Sequence, residues 1–308
     1  MKAGRVFENG RRIFFPTPIR VVTASLAVLM SFPAQSATLD KIAQTGTIII
    51  GYRESSPPFS YLDEAKNPIG YSVDLCLKVV EAVKRELKRP NVTVKFVPVT
   101  SASRMKAVMS DEVDLECGST TSTAERRKEV AFTVPTFVAA TRLMVREGGG
   151  IKSIYDLSGK TVVTTGGTSS EKLFTDLNDA RTLRAKLVLT KDHAESFAML
   201  ETGKADAFIM DDVLLYSLRA GSKEPEKYIV TRDALTIEPL SIMLRKDDPA
   251  FKKVVDSEVT RVILQGEINA MYRKWFESPI PPKQINLKIP MSFMLRDSFK
   301  TPTDWLPK

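Results

Sequence analysis

The stretch VDLECGSTTSTAERRKEVAF, Val113 to Phe132, poses the question on which the fold turns. Val113, Asp114 and Leu115 read as the end of a short apolar strand, and a run of hydroxyl residues follows Gly118. Ser122 and Glu125 have the spacing of a capping box, in which each side chain satisfies a free backbone N–H. The spacing therefore predicts a helix opening at Ser122. Arg126 then falls in its first turn, where a positive charge meets the unfavourable end of the helix dipole. An arginine is tolerable there if an anion sits over that helix end. A well-capped surface helix with a solvated arginine is the competing account.

The same alternation continues on both sides. Gly46 to Tyr52 is a β-branched apolar run bounded by glycine, and Arg53 to Pro58 is a polar loop. Tyr71 to Leu87 carries apolar residues at helical spacing, Val73, Leu77, Val80, Val83 and Leu87. Val92–Val97 reads as a strand and Ser101–Met109 as a helix. Strands alternating with helices predict a largely parallel sheet covered on its faces. In such sheets ligands collect outside the carboxyl ends of the strands. Arg53, Ser101 and Ser119 all fall just after strands, so they are candidates for one rim.

A second αβ unit begins after Arg142–Val145. Thr164 to Glu171 repeats the pattern of a glycine turn and hydroxyls opening a helix, a ready anion site. It is not a phosphate-binding Walker loop, because Gly159-Lys160-Thr161 precedes a strand. Lys186–Leu189 and Ala205–Met210 read as strands, the latter ending at Asp211. Pro239–Leu244 reads as one returning strand, Phe251–Trp275 as one long helix, and the tail from Pro279 as a proline-rich surface segment.

The N-terminus is of another kind. Lys2, Arg5, Arg11, Arg12 and Arg20 precede an apolar run, Val21–Met30, and small residues follow at the positions a signal peptidase needs. Residues 1–36 are expected to be a cleaved secretory signal, since the run is too short to span a bilayer comfortably. The whole chain carries 45 basic and 37 acidic residues; without that segment 40 and 36 remain, a net charge of +4. The basic residues are interspersed with acids and form no basic face, so no nucleic-acid partner is expected. One histidine cannot assemble a zinc site with Cys76 and Cys117. In an oxidising compartment those two cysteines suggest a disulfide, with two buried thiols as the other reading.

Four segments in order carry a resemblance that covers nearly the whole mature chain. Tyr52–Tyr61, Gly70-Tyr71-Ser72-Val73-Asp74-Leu75, Gly118-Ser119-Thr120-Thr121 with Glu125-Arg126, and Gly167-Thr168-Ser169-Ser170-Glu171 closely resemble periplasmic polar amino-acid-binding proteins of ABC importers. Lys191-Asp192-His193, Met210-Asp211-Asp212, Arg245–Pro249, Lys274-Trp275-Phe276 and Pro279–Pro282 are similar to the glutamate/aspartate-binding type within solute-binding protein family 3. The resemblance implies an α/β, two-lobed periplasmic-binding-protein fold of type II, with two hinge strands and the ligand in the interlobe cleft. Lobe 1 would comprise 37–141 and 237–308, and lobe 2 would comprise 142–236.

It further implies residue roles. Arg126 would clasp an α-carboxylate, helped by Thr121 and by Ser169 at the second helix start, with Thr168 also among the ligand-binding residues. Asp211 and Ser119 would take the α-ammonium. Arg53, Ser101, Arg104 and His193 would bind a side-chain carboxylate. Ser169 stands where threonine is more usual in the family, which leaves the backbone N–H contact unaffected. The chemistry agrees: guanidinium groups match carboxylates bidentately, and a buried dicarboxylate needs cations in excess of one aspartate. The implied protein is a monomer of the periplasm that delivers glutamate or aspartate to an inner-membrane ABC permease, without cofactor, metal or catalysis. Glutamine, asparagine or another polar amino acid is the alternative ligand, and a dehydratase on the same fold the alternative class. A dehydratase needs a proton donor against its substrate, and Asp211 is the one acid that the sequence places in the cleft.

Overall fold

The computed structural model describes residues 38–304, so the expected signal segment 1–36 lies outside the described residues. From Thr38 the chain forms α1 (Thr38–Thr45), β1 (Thr47–Tyr52), α2 (Tyr71–Leu87), β2 (Thr93–Pro98), α3 (Arg104–Met109), β3 (Leu115–Glu116) and β4 (Val130–Phe132). Next come β5 (Phe137–Arg146), β6 (Thr161–Thr165), α4 (Ser169–Ala180), β7 (Lys186–Thr190), α5 (His193–Glu201), β8 (Ala207–Asp211), α6 (Asp212–Gly221), β9 (Tyr228–Val230) and β10 (Thr236–Leu240). The last part holds β11 (Met243–Arg245), α7 (Pro249–Leu264), α8 (Glu267–Phe276) and α9 (Phe293–Ser298).

Two main sheets result. The first has the order β2-β1-β3-β11-β4, with β1 parallel to both β2 and β3. The second runs β7-β6-β8-β5-β9, with β6 parallel to both β7 and β8, and β10 also pairs with β5. Strands buried on both faces need apolar side chains at successive positions rather than alternate ones. Ile48 and Ile50 of β1 accordingly join Leu75 and Val79 of α2 and Val255 and Val259 of α7, while Ile49 packs with Val108, Val113 and Phe132. In β8, Phe208 and Met210 meet Phe197 and Leu214, and Ala207 and Ile209 meet Phe174 and Leu157. Full burial of such a side chain contributes roughly 1.5–3 kcal/mol.

The chain crosses from the first sheet to the second between Phe132 and Phe137 and returns between Leu240 and Met243. The crossings are bonded to each other: Thr133 N–H donates to the Ile242 carbonyl at 3.0 Å, and Thr136 N–H to that of Leu240 at 2.8 Å. The segment after β3 joins them, with Ser241 N–H donating to the Thr120 carbonyl at 3.0 Å and Ser122 N–H to that of Pro239 at 2.8 Å. The run Pro239–Leu244 is thus not one strand. Its first half belongs to β10 and its second to β11, in different sheets.

Two further expectations are corrected. The predicted helix Phe251–Trp275 is two helices, because Gly266 adopts φ 77° between α7 and α8. The predicted helix at Ser122 is one 3-10 turn, Arg126–Lys128, and the Ser122–Glu125 capping box does not form. Thr123 Oγ1 takes the Arg126 N–H instead, and Ser122 Oγ is buried without a partner. Cys76 of α2 and Cys117, just past β3, are joined as a disulfide with their Cα atoms 6.4 Å apart.

Candidate functional site

Both sheets present the carboxyl ends of three adjacent parallel strands, and the candidate residues sit there. Arg53 follows β1, Ser101 follows β2 and Ser119 follows β3, so the expected rim is one edge of the first sheet. Across from it, the second sheet supplies helix starts. Thr168 caps α4 by accepting from Glu171 N–H, and Asp192 caps α5 by accepting from Glu195 N–H, which sets His193 at that helix's first position. Asp211 ends β8 at the start of α6 but makes no side-chain cap bond.

A small cavity, with room for about one water molecule, lies between these edges, lined by Ser101, Arg104, Ser119, Thr121, Thr168, Ser169, His193, Met210, Asp211 and Leu214. Eight of the ten residues singled out from sequence are among them. Arg53 and Arg126 are not part of that lining, but both adjoin it. Arg126 donates to the Thr121 carbonyl at 3.0 Å and to the Gly167 carbonyl at 3.1 Å, so one guanidinium joins the two edges. Thr121 Oγ1 and Ser169 Oγ meet beside it at 3.1 Å. Arg53 is buried, with one guanidinium nitrogen lacking a partner, and its Cγ lies against Gly118.

The electrostatics are those of a crowded cationic site. Burial brings Arg53 down to about 9, and repulsion from Arg104 adds to it. Burial, then Arg104, lowers Arg126 to about 10, and burial lowers Arg104 as well. His193 is pushed well below its ordinary range by burial, then by Arg53 and Arg104, so its imidazole is neutral at physiological pH. Its Nδ1 lies 2.7 Å from the Thr165 hydroxyl, and its Nε2 is buried without a partner. When Thr165 donates to Nδ1, Nε2 carries the hydrogen and becomes a donor toward the cavity side. Asp211 is raised well above the carboxylate range by burial, then by Glu238 and Asp212, and its Oδ1 has no partner. Buried donors without partners, Arg104 Nε and Ser101 Oγ included, suit a ligand rich in acceptors, and Asp211 suits one cation.

Four residues were missed. Met210 and Leu214 give the cavity an apolar wall. Glu116 and Glu238 are buried acids in the same electrostatic neighbourhood but outside the cavity lining, in which Asp211 is the one acid. Met210 stands next to Asp211 in sequence and could have been placed by that adjacency. Glu116, at the end of a predicted strand, had a positional signal but no chemical one.

Residues 48–278 match the family model described as bacterial extracellular solute-binding proteins, family 3. The chain belongs to that family. The L-glutamate/L-aspartate-binding protein of Pseudomonas aeruginosa is 48% identical to this family-3 protein over 292 residues, covering 93% of this chain and 97% of the relative. The glutamate/aspartate import solute-binding protein of Escherichia coli is 44% identical over 272 residues, covering 88% and 90%. Among solved structures, an ancestral amino-acid-binding protein, a precursor of cyclohexadienyl dehydratase, superposes with a TM-score of 0.65 at 29% identity, covering 78% of this chain and 99% of its own. The family-3 protein has the two-lobed α/β fold of type II, with its candidate site between the lobes.

Proposed function

We propose that this family-3 protein captures glutamate or aspartate in the periplasm and delivers it to an ABC-type amino-acid permease. The observation that carries the reading is the pair of buried guanidiniums, Arg53 and Arg104, grouped with a neutral His193 near a cavity that one aspartate lines. A dicarboxylic amino acid brings two negative charges and one positive, the complement of that arrangement. An amide brings no second charge to match the surplus cations. The relatives from Pseudomonas aeruginosa and Escherichia coli, named for glutamate and aspartate, support the same ligand class.

In this reading Arg126, Thr121, Thr168 and Ser169 hold the α-carboxylate, Asp211 and Ser119 the ammonium, and Arg53, Ser101, Arg104 and His193 the distal carboxylate. The lobes meet at the two crossings, Thr133–Thr136 and Ser241–Ile242, which serve as hinges. The expected joins at 141/142 and 236/237 fall nearby, inside β5 and at the start of β10. Residues 1–36 serve as the export signal, and their removal yields a periplasmic monomer.

Calorimetric titration of the ligand-free protein with each proteinogenic amino acid tests the assignment. Glutamate and aspartate should bind at least tenfold more tightly than glutamine and asparagine, a difference of about 1.4 kcal/mol. Tighter binding of the amides would refute it, and turnover of the ligand during titration would favour a dehydratase-type activity.

A further inference from the structure

Glu116 ends β3 and is fully buried, yet it does not line the cavity. Its Oε2 accepts from the Thr120 hydroxyl at 2.6 Å, and Thr120 Oγ1 in turn accepts from Arg104 Nη1 at 2.5 Å. Its Oε1 makes no hydrogen bond. A Cβ on Gly118 would stand 2.3 Å from that oxygen and 2.9 Å from Arg53 Cγ. The bare glycine therefore leaves the space in which one carboxylate lies close to both buried arginines. Its charge favours the protonated form of Arg53, Arg104 and Arg126 alike.

Two guanidinium groups buried side by side repel each other, and a resident carboxylate offsets about one of their two charges. What faces the ligand's distal end is then a net single positive charge carried on two forks. We propose that Glu116 is a specificity-determining positioning residue: a built-in counter-charge that holds Arg104 through Thr120 and tempers the preference for a distal carboxylate over a distal amide. This rests on the proposed glutamate/aspartate reading. With the counter-charge removed, a ligand carboxylate becomes the main partner for two cations, while an amide gains nothing comparable.

The test is the ratio of glutamate to glutamine affinity, in which contacts to the shared α-carboxylate and ammonium cancel. Glu116→Gln keeps an acceptor for Thr120 but removes the charge, and it should raise the ratio on the order of tenfold at low ionic strength. Thr120→Val breaks the link to Arg104 and leaves the charge, so it should weaken glutamate more than glutamine and lower the ratio. An unchanged or lower ratio in Glu116→Gln, or an equal rise in Thr120→Val, overturns the proposal. Should Glu116→Gln fail to fold, Glu116→Asp draws the charge back toward the strand and should give a smaller rise; no rise overturns the proposal. Wild-type protein that prefers glutamine defeats the ligand reading itself. Wild-type protein that prefers glutamate, with a ratio Glu116 does not alter, defeats only this inference.

Discussion

Gly167, at the start of the second lobe's first anion-type turn, packs against the backbone of Ala102 in the first lobe. A Cβ there would stand 2.6 Å from Ala102 Cα, 2.7 Å from Ala102 N and 2.8 Å from the Ser101 carbonyl. Its φ of 79° is also one that favours glycine. The two demands can be separated. Gly159 has φ 69° with nothing within 4 Å of its hypothetical Cβ, so Gly159→Ala carries the strain alone. Gly167→Ala should keep the lobes apart and weaken all ligands at least tenfold, with Gly159→Ala near wild type in affinity. Small-angle scattering with saturating glutamate checks this: equal ligand-induced compaction in both variants would contradict it.

Arg126 bridges the lobes through two carbonyls, whereas Arg104 reaches Thr120 from within its own lobe. Arg126→Ala should weaken aspartate and asparagine alike, because both present an α-carboxylate. Truncating one partner of a buried charge pair costs roughly 3–5 kcal/mol, on the order of a hundred- to several-thousand-fold in affinity. Arg104→Ala or Arg53→Ala should weaken aspartate far more than asparagine. Calorimetry on the three variants decides; a wild-type affinity for aspartate in Arg126→Ala would place the carboxylate seat elsewhere.

Asp211 gives the site a pH dependence whose sign follows from its raised pKa. A carboxyl held above its ordinary range takes up its proton sooner as pH falls, and the protonated form cannot pair with an ammonium. Affinity should therefore be greatest on the alkaline side and decline on acidification before a free aspartate would titrate. Titrations from about pH 8 to about pH 5 should show this decline in wild type. Asp211→Asn should bind weakly with a flat profile, and a flat wild-type profile would count against the ammonium role.

The Cys76–Cys117 bond closes a loop with a sequence separation of 41. The chain-entropy account gives about 4 kcal/mol for a loop of that size. Reduction should then lower the melting midpoint by on the order of ten degrees for a protein this large. An unchanged midpoint, with two thiols titrating in the unfolded but unreduced protein, would remove the bond from the stability of the fold.

The rims were legible because their signals are local. Hydroxyls after Thr165 and after Gly118 follow short apolar runs, and a parallel strand must deliver such residues to one edge. What escaped the sequence was set by distant partners. Ser122 and Glu125 have capping-box spacing, but Ser122 N–H is already committed to Pro239, and Thr123 caps Arg126 instead. Leu240 and Met243 belong to one apolar run, and nothing local marks the passage between sheets at Ser241. Gly266 was a visible warning inside the predicted long helix. Glu116 looked like an ordinary charge at a strand end, since its setting depends on Gly118, Thr120 and two arginines brought in from elsewhere.

The position of β11 has a bearing on the order of assembly. It lies between β3 and β4, although the whole of the second sheet, from Phe137 to Leu240, separates it from them in the chain. The second lobe's strands are all present in one unbroken stretch and can pair as soon as that stretch is free to fold. The first sheet cannot be completed until residues 243–245 arrive, so its two earlier pieces must wait with an open gap between them. A chain truncated before Met243 would retain every strand of one lobe and leave the other with a missing central stave.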